Sequence, residues 1–112
     1  LKVCTSPGGE EETVIYYEAD TKQLKVDTTR SGEGETTGVV ESAPFELKSD
    51  ETLSLRVFVD KSVVEVFANG RQAIARRIYP HRADSVGVEV FTVGGLAKMH
   101  LQGWQMAASN AF

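Results

Sequence analysis

A turn that requires an unusual backbone conformation most constrains what this chain can fold into. Asn69-Gly70 stands between two stretches in which apolar and polar residues alternate. A type I′ hairpin turn needs positive φ at both central residues, and Asn-Gly is the dipeptide that supplies this most readily. Asp60-Lys61 predicts a second two-residue turn shortly before it. The sequence therefore predicts a three-stranded antiparallel meander over Leu53–Tyr79, with a register fixed by its turns.

This register predicts which side chains share a face. The predicted cross-strand pairs are Phe58 with Val63, Val57 with Val64, Arg56 with Glu65, Phe67 with Gln72 and Glu65 with Ile74. One face is almost purely aliphatic and is the expected core: Leu55, Val57, Val59, Val64, Val66, Ala68, Ala73 and Ala75. The other face mixes apolar and charged side chains: Arg56, Phe58, Val63, Glu65, Phe67, Ile74 and Arg76. Such a mixture is unusual for a face turned to solvent. It predicts an interface with another domain or subunit, or cover from a second sheet.

The same period of two runs along almost the whole chain, without a sustained helical period. Nine strands are predicted: Leu1–Thr5, Thr13–Ala19, Gln23–Thr29, Pro44–Leu47, Leu53–Val59, Ser62–Ala68, Gln72–Tyr79, Ser85–Thr92 and Ala97–Met106. A bulge at Gln102-Gly103 would give the last strand a consistent inner face. Arg30–Ala43 is the longest predicted loop and the most mobile segment expected. Many short strands at this spacing predict an all-β fold, a two-sheet antiparallel sandwich of about nine strands.

Size and charge narrow the function. The 112 residues, 41% apolar and 25% charged, suit one soluble globular domain, 1–112. The net charge of −4, from 16 acidic and 12 basic residues, argues against a nucleic-acid partner, which would need a basic patch. Arg71, Arg76, Arg77 and Arg82 form the only basic cluster, for which we expect a solvated or ion-paired face. No apolar stretch is long enough to predict a membrane span.

Metal, cofactor and nucleophile patterns do not emerge from the sequence. Cys4 is the single cysteine, and the spacing of His81 and His100 does not suit a zinc site. The Gly/Glu-rich stretch near Gly32 would repel phosphate, and no Gly-x-Ser-x-Gly elbow occurs. We therefore expect no metal, no cofactor and no catalytic residue.

A pair of carboxylates, Asp60 and Glu65, comes nearest to catalytic chemistry, since glycoside hydrolysis uses two. The predicted register places Asp60 in a turn and gives Glu65 a cross-strand partner in Arg56, which favours a structural role. The aromatic residues Tyr16, Tyr17, Tyr79 and Trp104 could stack on sugars, but core or edge packing is the favoured interpretation.

One segment carries a family resemblance. Leu53–Pro80, reading LSLRVFVDKSVVEVFANGRQAIARRIYP, resembles the signature stretch of glycoside hydrolase family 32, which includes invertases, levanases, inulinases and fructan exohydrolases. The flanking segments Glu11–Tyr17, Ala43–Leu47, Asp84–Val88 and Trp104–Met106 also look like parts of that family's C-terminal module. The resemblance covers essentially the whole chain.

The resemblance implies a parent that is a retaining β-fructosidase, built from a five-bladed catalytic propeller followed by this β-sandwich. The family's Trp-Met-Asn-Asp-Pro-Asn-Gly, Arg-Asp-Pro and Glu-Cys motifs do not occur here, so no catalytic residue carries over. The chain begins at Leu1 within a predicted strand, and we expect a domain excised from a longer enzyme whose N-terminal propeller is absent. Its expected role is to stabilise or dock on that propeller.

Two functions of other classes stay open. The sandwich could bind carbohydrate in the manner of a lectin, which predicts exposed aromatic side chains around a groove. It could also associate with itself through an exposed apolar face, forming a homodimer. The sequence leaves the cellular compartment undetermined.

Overall fold

The regular secondary structure of the described residues, 1–32 and 38–108, consists of β-strands alone in this computed structural model. The strands are β1 (Lys2–Thr5), β2 (Glu12–Glu18), β3 (Gln23–Arg30), β4 (Val40–Pro44), β5 (Leu55–Asp60), β6 (Val63–Ala68), β7 (Gln72–Arg77) and β8 (Gly87–Glu89). Within those residues, no helix is long and apolar enough to cross a membrane.

The strands form two antiparallel sheets that pack face to face. The larger sheet has the order β4-β3-β2-β1-β8, and the smaller one has the order β5-β6-β7. Strand β7 contacts β3 and β4 across the gap between the sheets. The predicted all-β fold, a two-sheet antiparallel sandwich, is confirmed, with eight strands in the described residues.

The core lies between the sheets and is built by alternation along each strand. Strands β3 and β6 bury every second side chain, as a half-buried strand must. The buried apolar side chains are Val3, Ile15, Leu24, Val26, Phe45, Val64, Val66, Ala68, Ile74 and Ile78. Each fully buried aliphatic or aromatic side chain of this kind contributes about 1.5–3 kcal/mol to folding.

The first turn of the meander lies one residue later than the sequence predicted. Strand β5 continues through Asp60, and Lys61, at φ 50°, and Ser62 form the turn. The predicted pairs are therefore wrong: Arg56 pairs with Phe67, Val57 with Val66, and Phe58 with Glu65. The register is displaced by two residues, and a displacement by an even number leaves the faces unchanged. The inner face of β5 and β6 was predicted correctly, but Val59, predicted to lie in the core, is 46% exposed and lies outside it.

The second turn contains one residue more than predicted, and this does change a face. Asn69 and Gly70 both have positive φ, 49° and 66°, as the turn prediction required. However, Ala68 pairs with Gln72, so Arg71 belongs to the turn and β7 is displaced by one residue. The predicted pairs Phe67–Gln72 and Glu65–Ile74 are wrong. A displacement by one residue exchanges the two faces of a strand.

Strand boundaries differ elsewhere in the chain. The predicted strand Pro44–Leu47 is wrong, because the strand there is β4, Val40–Pro44, and all but its last residue lie inside the predicted loop Arg30–Ala43. Residues 33–37 of that loop lie outside the described residues. The predicted strand Ser85–Thr92 is reduced to β8, and Ala97–Met106 forms no strand. No ladder therefore exists for the predicted bulge at Gln102-Gly103 to interrupt.

Candidate functional site

The outer side of the three-stranded sheet carries five of the seven residues predicted for an interface. Arg56, Phe58, Val63, Glu65 and Phe67 share this side, which we call the aromatic face. Phe58 is 40% exposed and Phe67 is 39% exposed, although both are large aromatic side chains. Their rings meet edge to face, with centroids 6.0 Å apart and planes at 82°. Aromatic side chains left at this exposure supply contact area for a partner.

The other two predicted residues, Ile74 and Arg76, lie on the inner side of β7. Ile74 is buried in the core at 5% exposure. Arg76 points toward the larger sheet and forms an ion pair with Glu41, Nη1 to Oε2 3.1 Å. The extra residue in the second turn explains both positions, since it exchanges the faces of β7. Neither residue belongs to the aromatic face.

Two small residues of β7 take their place, and sequence analysis assigned them to the core. Ala73 pairs with Phe67 and Ala75 pairs with Glu65, and both alanines are exposed. Because an alanine covers little of its neighbour, the ring of Phe67 stays accessible from the β7 side. A sequence signal for this was present, since Ile74 and Ile78 at an even spacing make a more apolar inner face than two alanines do.

Shallow cavities lie on both sides of the Phe67 ring. One, of about 430 Å³, is lined by Ser54, Arg56, Phe58, Phe67, Asn69 and Gly70. The other, of about 260 Å³, is lined by Phe67, Gly70, Arg71, Gln72 and Ala73. Phe67 therefore projects from the sheet between two hollows. A raised ring flanked by hollows can fit a complementary surface.

The charged members of the aromatic face have no partners within the described residues. The predicted cross-strand pair of Arg56 and Glu65 does not form, because Arg56 stands opposite Phe67 and Glu65 opposite Phe58. No hydrogen bond or ion pair of either side chain occurs within residues 1–32 and 38–108. Both charges are thus available to a partner of complementary charge.

The turn beside the aromatic face is held by a network that sequence analysis missed. The Asn69 side-chain oxygen accepts a hydrogen bond from Ser54 N at 2.8 Å, and its Nδ2 donates to Thr52 O and Glu51 Oε1, both at 2.9 Å.

Arg71 forms a bidentate pair with Glu51, donates to the Glu46 carbonyl at 2.7 Å, and lies 4.6 Å from the centre of the Phe45 ring. Hydrogen bonds from Arg71 first, and then from Lys48 N and Asn69, lower the pKa of Glu51 to about 2. The network keeps the rim of the larger cavity in place.

The basic cluster and the remaining aromatic residues can now be located. Arg71, Arg76 and Arg82 all form ion pairs, so the predicted ion-paired state of this cluster is confirmed for them. Tyr17 packs edge to face on Phe45, as a core or edge aromatic should. Trp104 is 75% exposed, so the predicted core or edge packing is wrong for this residue.

The two carboxylates singled out in the sequence, Asp60 and Glu65, do not share an enclosed site. Asp60 and Glu65 are both exposed, on an open sheet surface rather than in a cleft. A general acid at neutral pH needs a carboxyl group shielded from water, which neither residue has. No group of three or more His, Cys, Asp or Glu side chains in the described ranges could hold a metal ion. The notable feature of this surface is its exposed aromatic pair.

Comparison with known proteins places this geometry in a family. The sequence model described as "Glycosyl hydrolases family 32 C terminal" matches residues 1–106. The chain belongs to the C-terminal domains of glycosyl hydrolase family 32. The resemblance noted in the signature stretch is thereby confirmed.

Relatives and solved structures agree with this membership. The chain is 39% identical over 64 residues to a fructan 6-exohydrolase of Triticum aestivum, covering 53% of this chain and 11% of that protein. It is 39% identical over 62 residues to beta-fructofuranosidase 1 of Zea mays, covering 50% of this chain and 9% of that protein. An exo-inulinase from Aspergillus awamori superposes with a TM-score of 0.70 at 31% identity, covering 76% of this chain and 17% of the other. An Aspergillus kawachii beta-fructofuranosidase complexed with glycerol gives 0.63 at 25% identity, covering 76% and 16%. This family 32 domain spans about a tenth of the length of the curated relatives that it matches.

Proposed function

We propose that this domain is the non-catalytic C-terminal module of a β-fructosidase, and that it docks on the catalytic propeller of that enzyme through the aromatic face. The single observation that carries the proposal is the pair of exposed rings, Phe58 and Phe67, beside Arg56 and Glu65, whose side chains have no partner among the described residues. Docking would cover the two rings and give both charges partners.

The activity proposed for the longer protein comes from its relatives. The similar proteins are named as a fructan exohydrolase, a β-fructofuranosidase and an exo-inulinase, and this chain matches only 9–17% of their length. We infer that the remainder carries the chemistry and that the longer protein cleaves a β-fructosidic bond in sucrose or a fructan. This chain alone is then expected to be inactive on both substrates.

Carbohydrate binding is the second candidate, favoured by the aromatic side chains around the larger cavity. The polar groups there fit it less well than docking. The amide of Asn69 already makes three hydrogen bonds within the chain, so it has little capacity left for sugar hydroxyls. The Phe58 and Phe67 rings stand nearly perpendicular to each other and do not form the flat platform on which a sugar ring stacks.

The test is a pair of substitutions in the longer protein that carries this chain. Phe58→Asp places a charge on the aromatic face, whereas Val40→Asp places one on the outer side of the larger sheet at a similar exposure, 45% against 40%. Docking predicts that Phe58→Asp lowers the thermal midpoint and the sucrose-hydrolysing activity after mild heating, while Val40→Asp leaves both unchanged. Equal behaviour of the two variants would contradict docking through this face.

Calorimetry with inulin oligosaccharides separates the second candidate from the first. Saturable heat from the isolated chain, lost in Phe67→Ala, would support carbohydrate binding. Absence of heat at millimolar ligand would exclude it at any useful affinity.

A further inference from the structure

The turn between β6 and β7 is also a chemically reactive sequence. The main-chain nitrogen of the residue after an asparagine can attack the asparagine side chain, and a glycine there has no side chain to obstruct the attack. Gly70 directly follows Asn69, whereas the other asparagine of the chain, Asn110, is followed by alanine. The turn that fixes the meander is therefore the sequence in this chain that is most prone to deamidation.

The attacking nitrogen, that of Gly70, is accessible in the folded chain. Gly70 is exposed, and no heavy atom lies within 4 Å of the position that a Cβ would take there. Its N–H has no hydrogen-bond partner within residues 1–32 and 38–108. The amides on either side of it do have partners, since Asn69 N donates to Ser54 O at 2.9 Å and Arg71 N to Ala68 O at 3.0 Å. The described part of the chain therefore does not block the Gly70 nitrogen.

The side chain that would be attacked is held by hydrogen bonds on both its oxygen and its nitrogen. Asn69 Oδ1 accepts from Ser54 N at 2.8 Å, and Nδ2 donates to Thr52 O and Glu51 Oε1, both at 2.9 Å. Nδ2 is the atom that leaves as ammonia during deamidation, so its departure breaks two of these three bonds. The hydrogen bonds of the amide therefore oppose the reaction that the sequence favours.

Glu51, which accepts one of these bonds, is itself fixed from the other side of the turn. Arg71 forms a bidentate pair with Glu51, with Nη2 to Oε2 at 2.8 Å, and Lys48 N donates to Oε2 at 2.8 Å. A guanidinium fork holds a carboxylate in one orientation. Because Glu51 is held in this way, its Oε1 stays within reach of Asn69 Nδ2. Protection of the amide thus depends on two residues outside the reactive pair.

We propose that Asn69 is a deamidation site which the contacts of Glu51 and Arg71 protect, and that the product of the reaction cannot restore those contacts. When the hydrogen bonds open, the Gly70 nitrogen gives up its proton and forms a bond to Asn69 Cγ. The Cγ–Nδ2 bond then breaks, and Nδ2 leaves as ammonia with a proton taken from water. A second water molecule opens the cyclic imide. Cleavage between Cγ and the nitrogen gives aspartate, and cleavage between the main-chain carbonyl and the nitrogen gives isoaspartate.

Both products lack what the contacts around the turn require. An aspartate at position 69 has two acceptor oxygens and no donor, so it cannot donate to Thr52 O, and its charge lies beside that of Glu51. Isoaspartate also lengthens the main chain by one carbon, in a turn where residues 69 and 70 have φ of 49° and 66°. Deamidation should therefore loosen the turn. This inference concerns the turn alone and is independent of docking through the aromatic face.

The experiment follows the conversion of Asn69 by peptide mapping and mass spectrometry at mildly alkaline pH. It compares the 112-residue chain with a synthetic peptide of residues 66–73, and with two variants of the chain. Glu51→Ala removes the acceptor of Nδ2 and the partner of Arg71. Glu46→Ala is the control, since it removes an exposed carboxylate whose partner is Lys22, while the Glu46 carbonyl can still accept from Arg71. We expect conversion several-fold slower in the chain than in the peptide, several-fold faster in Glu51→Ala, and unchanged in Glu46→Ala.

Three results would overturn the protection. Equal rates in the chain and the peptide would show that the fold does not protect Asn69. An unchanged rate in Glu51→Ala, or equal acceleration in Glu46→Ala, would show that Glu51 has no specific part in it. Should circular dichroism show that Glu51→Ala unfolds the chain, Arg71→Lys decides the matter, because lysine keeps the charge but loses the fork that fixes Glu51. Faster conversion in Arg71→Lys supports the proposal, and an unchanged rate contradicts it.

A last variant tests the effect of the product. Asn69→Asp introduces one of the two products directly, and we expect it to lower the thermal midpoint of the chain. A midpoint equal to that of the unsubstituted chain would show that the product restores the contacts around the turn, which contradicts the second part of the proposal.

Discussion

The outer surfaces of the two sheets differ in how their charges are satisfied. On the larger sheet Lys2 pairs with Glu12 at 2.9 Å and Lys25 pairs with Glu18 at 2.6 Å, and Arg30 also reaches Glu12. On the aromatic face of the smaller sheet, Arg56 and Glu65 stand without ion pairs in the described part of the chain. The charged side chains of the larger sheet are thus paired with each other. The aromatic face instead has exposed aromatic rings and charged side chains without ion pairs among the described residues.

We expect this difference if the larger sheet faces solvent and the aromatic face meets a partner. On the larger sheet the charged side chains form ion pairs with each other. On the aromatic face, Phe58 and Phe67 occupy the centre, and the charged groups lie around them. Aromatic side chains at the centre with charges at the rim is the usual arrangement of protein interfaces.

Removing a ring should produce the largest effect. In the longer protein, Phe67→Ala is expected to lower the free energy of unfolding by about 2 kcal/mol or more, because a central aromatic side chain dominates an interface. In the isolated chain the same substitution removes only a half-exposed ring and an aromatic contact, with a loss of about 1 kcal/mol. Denaturant unfolding of both proteins measures the difference. A loss of the same size in both would show that Phe67 makes no contact outside this domain.

On the larger sheet, Glu12→Gln tests whether the paired surface stabilises the domain by itself. Glu12 is buried at 5% exposure and bridges Lys2 and Arg30. Losing its charge leaves Lys2 with only the longer 3.9 Å ion pair to Glu89 and Arg30 with only its hydrogen bond to the Gly9 carbonyl, and we expect a loss of about 1–2 kcal/mol in the isolated chain. Urea unfolding gives the value. A stability equal to that of the unsubstituted chain would show that this surface is held by packing alone.

The paired surface should also respond to acid. Hydrogen bonds from Lys25 and then Thr21 hold the pKa of Glu18 below its ordinary value of 4.5. A carboxyl group whose pKa is lowered on folding contributes stability above its unfolded pKa and loses it as the pH falls through the folded one. Stability should therefore decline below about pH 4.5, and Lys25→Ala should make this decline shallower. Thermal midpoints between pH 6 and pH 3 measure it, with Lys61→Ala in an exposed turn as the control; equal slopes in both variants would contradict the role of the pair.

The smallest effect is expected at Arg56 in the isolated chain. Arg56 is exposed and has no ion pair within the described residues, so Arg56→Ala should change the free energy of unfolding by less than about 0.5 kcal/mol. Chemical denaturation checks this value. A loss above 1 kcal/mol would mean that Arg56 has a partner within the chain, and the contrast between the two surfaces would weaken.

Alternation and turn chemistry predicted much of the fold. The sandwich, the positions of β1 to β3, and the core face of β5 and β6 all follow from period two and from the Asn69-Gly70 turn. The face of β7 did not, because Arg71 leaves the ladder to bind Glu51 and the Phe45 ring. Those partners lie about 20 residues or more away in the sequence, so the pattern of residues near Arg71 does not predict its contacts with them. A long-range contact thus decided a one-residue displacement.

The same cause limited the prediction of the site. The register predicted between β5 and β6 was wrong by two residues, and an even displacement leaves the faces unchanged. The prediction therefore still placed five residues on the correct face: Arg56, Phe58, Val63, Glu65 and Phe67. Ile74 and Arg76 were misplaced because their register was wrong by an odd number. The strand predicted at Ala97–Met106 has the right alternation, but alternation cannot specify an edge to pair with.

Hydroxyl-radical footprinting of the isolated chain and of the longer protein measures side-chain exposure at each ring and tests the role of the aromatic face most directly. Tyr16, partly exposed and paired with Lys25 in the larger sheet, serves as an internal reference outside this face. Docking predicts that Phe58 and Phe67 are oxidised in the isolated chain and protected in the longer protein, while Tyr16 reports any general change in reactivity. Equal oxidation of both phenylalanines in the two proteins would contradict docking through the aromatic face.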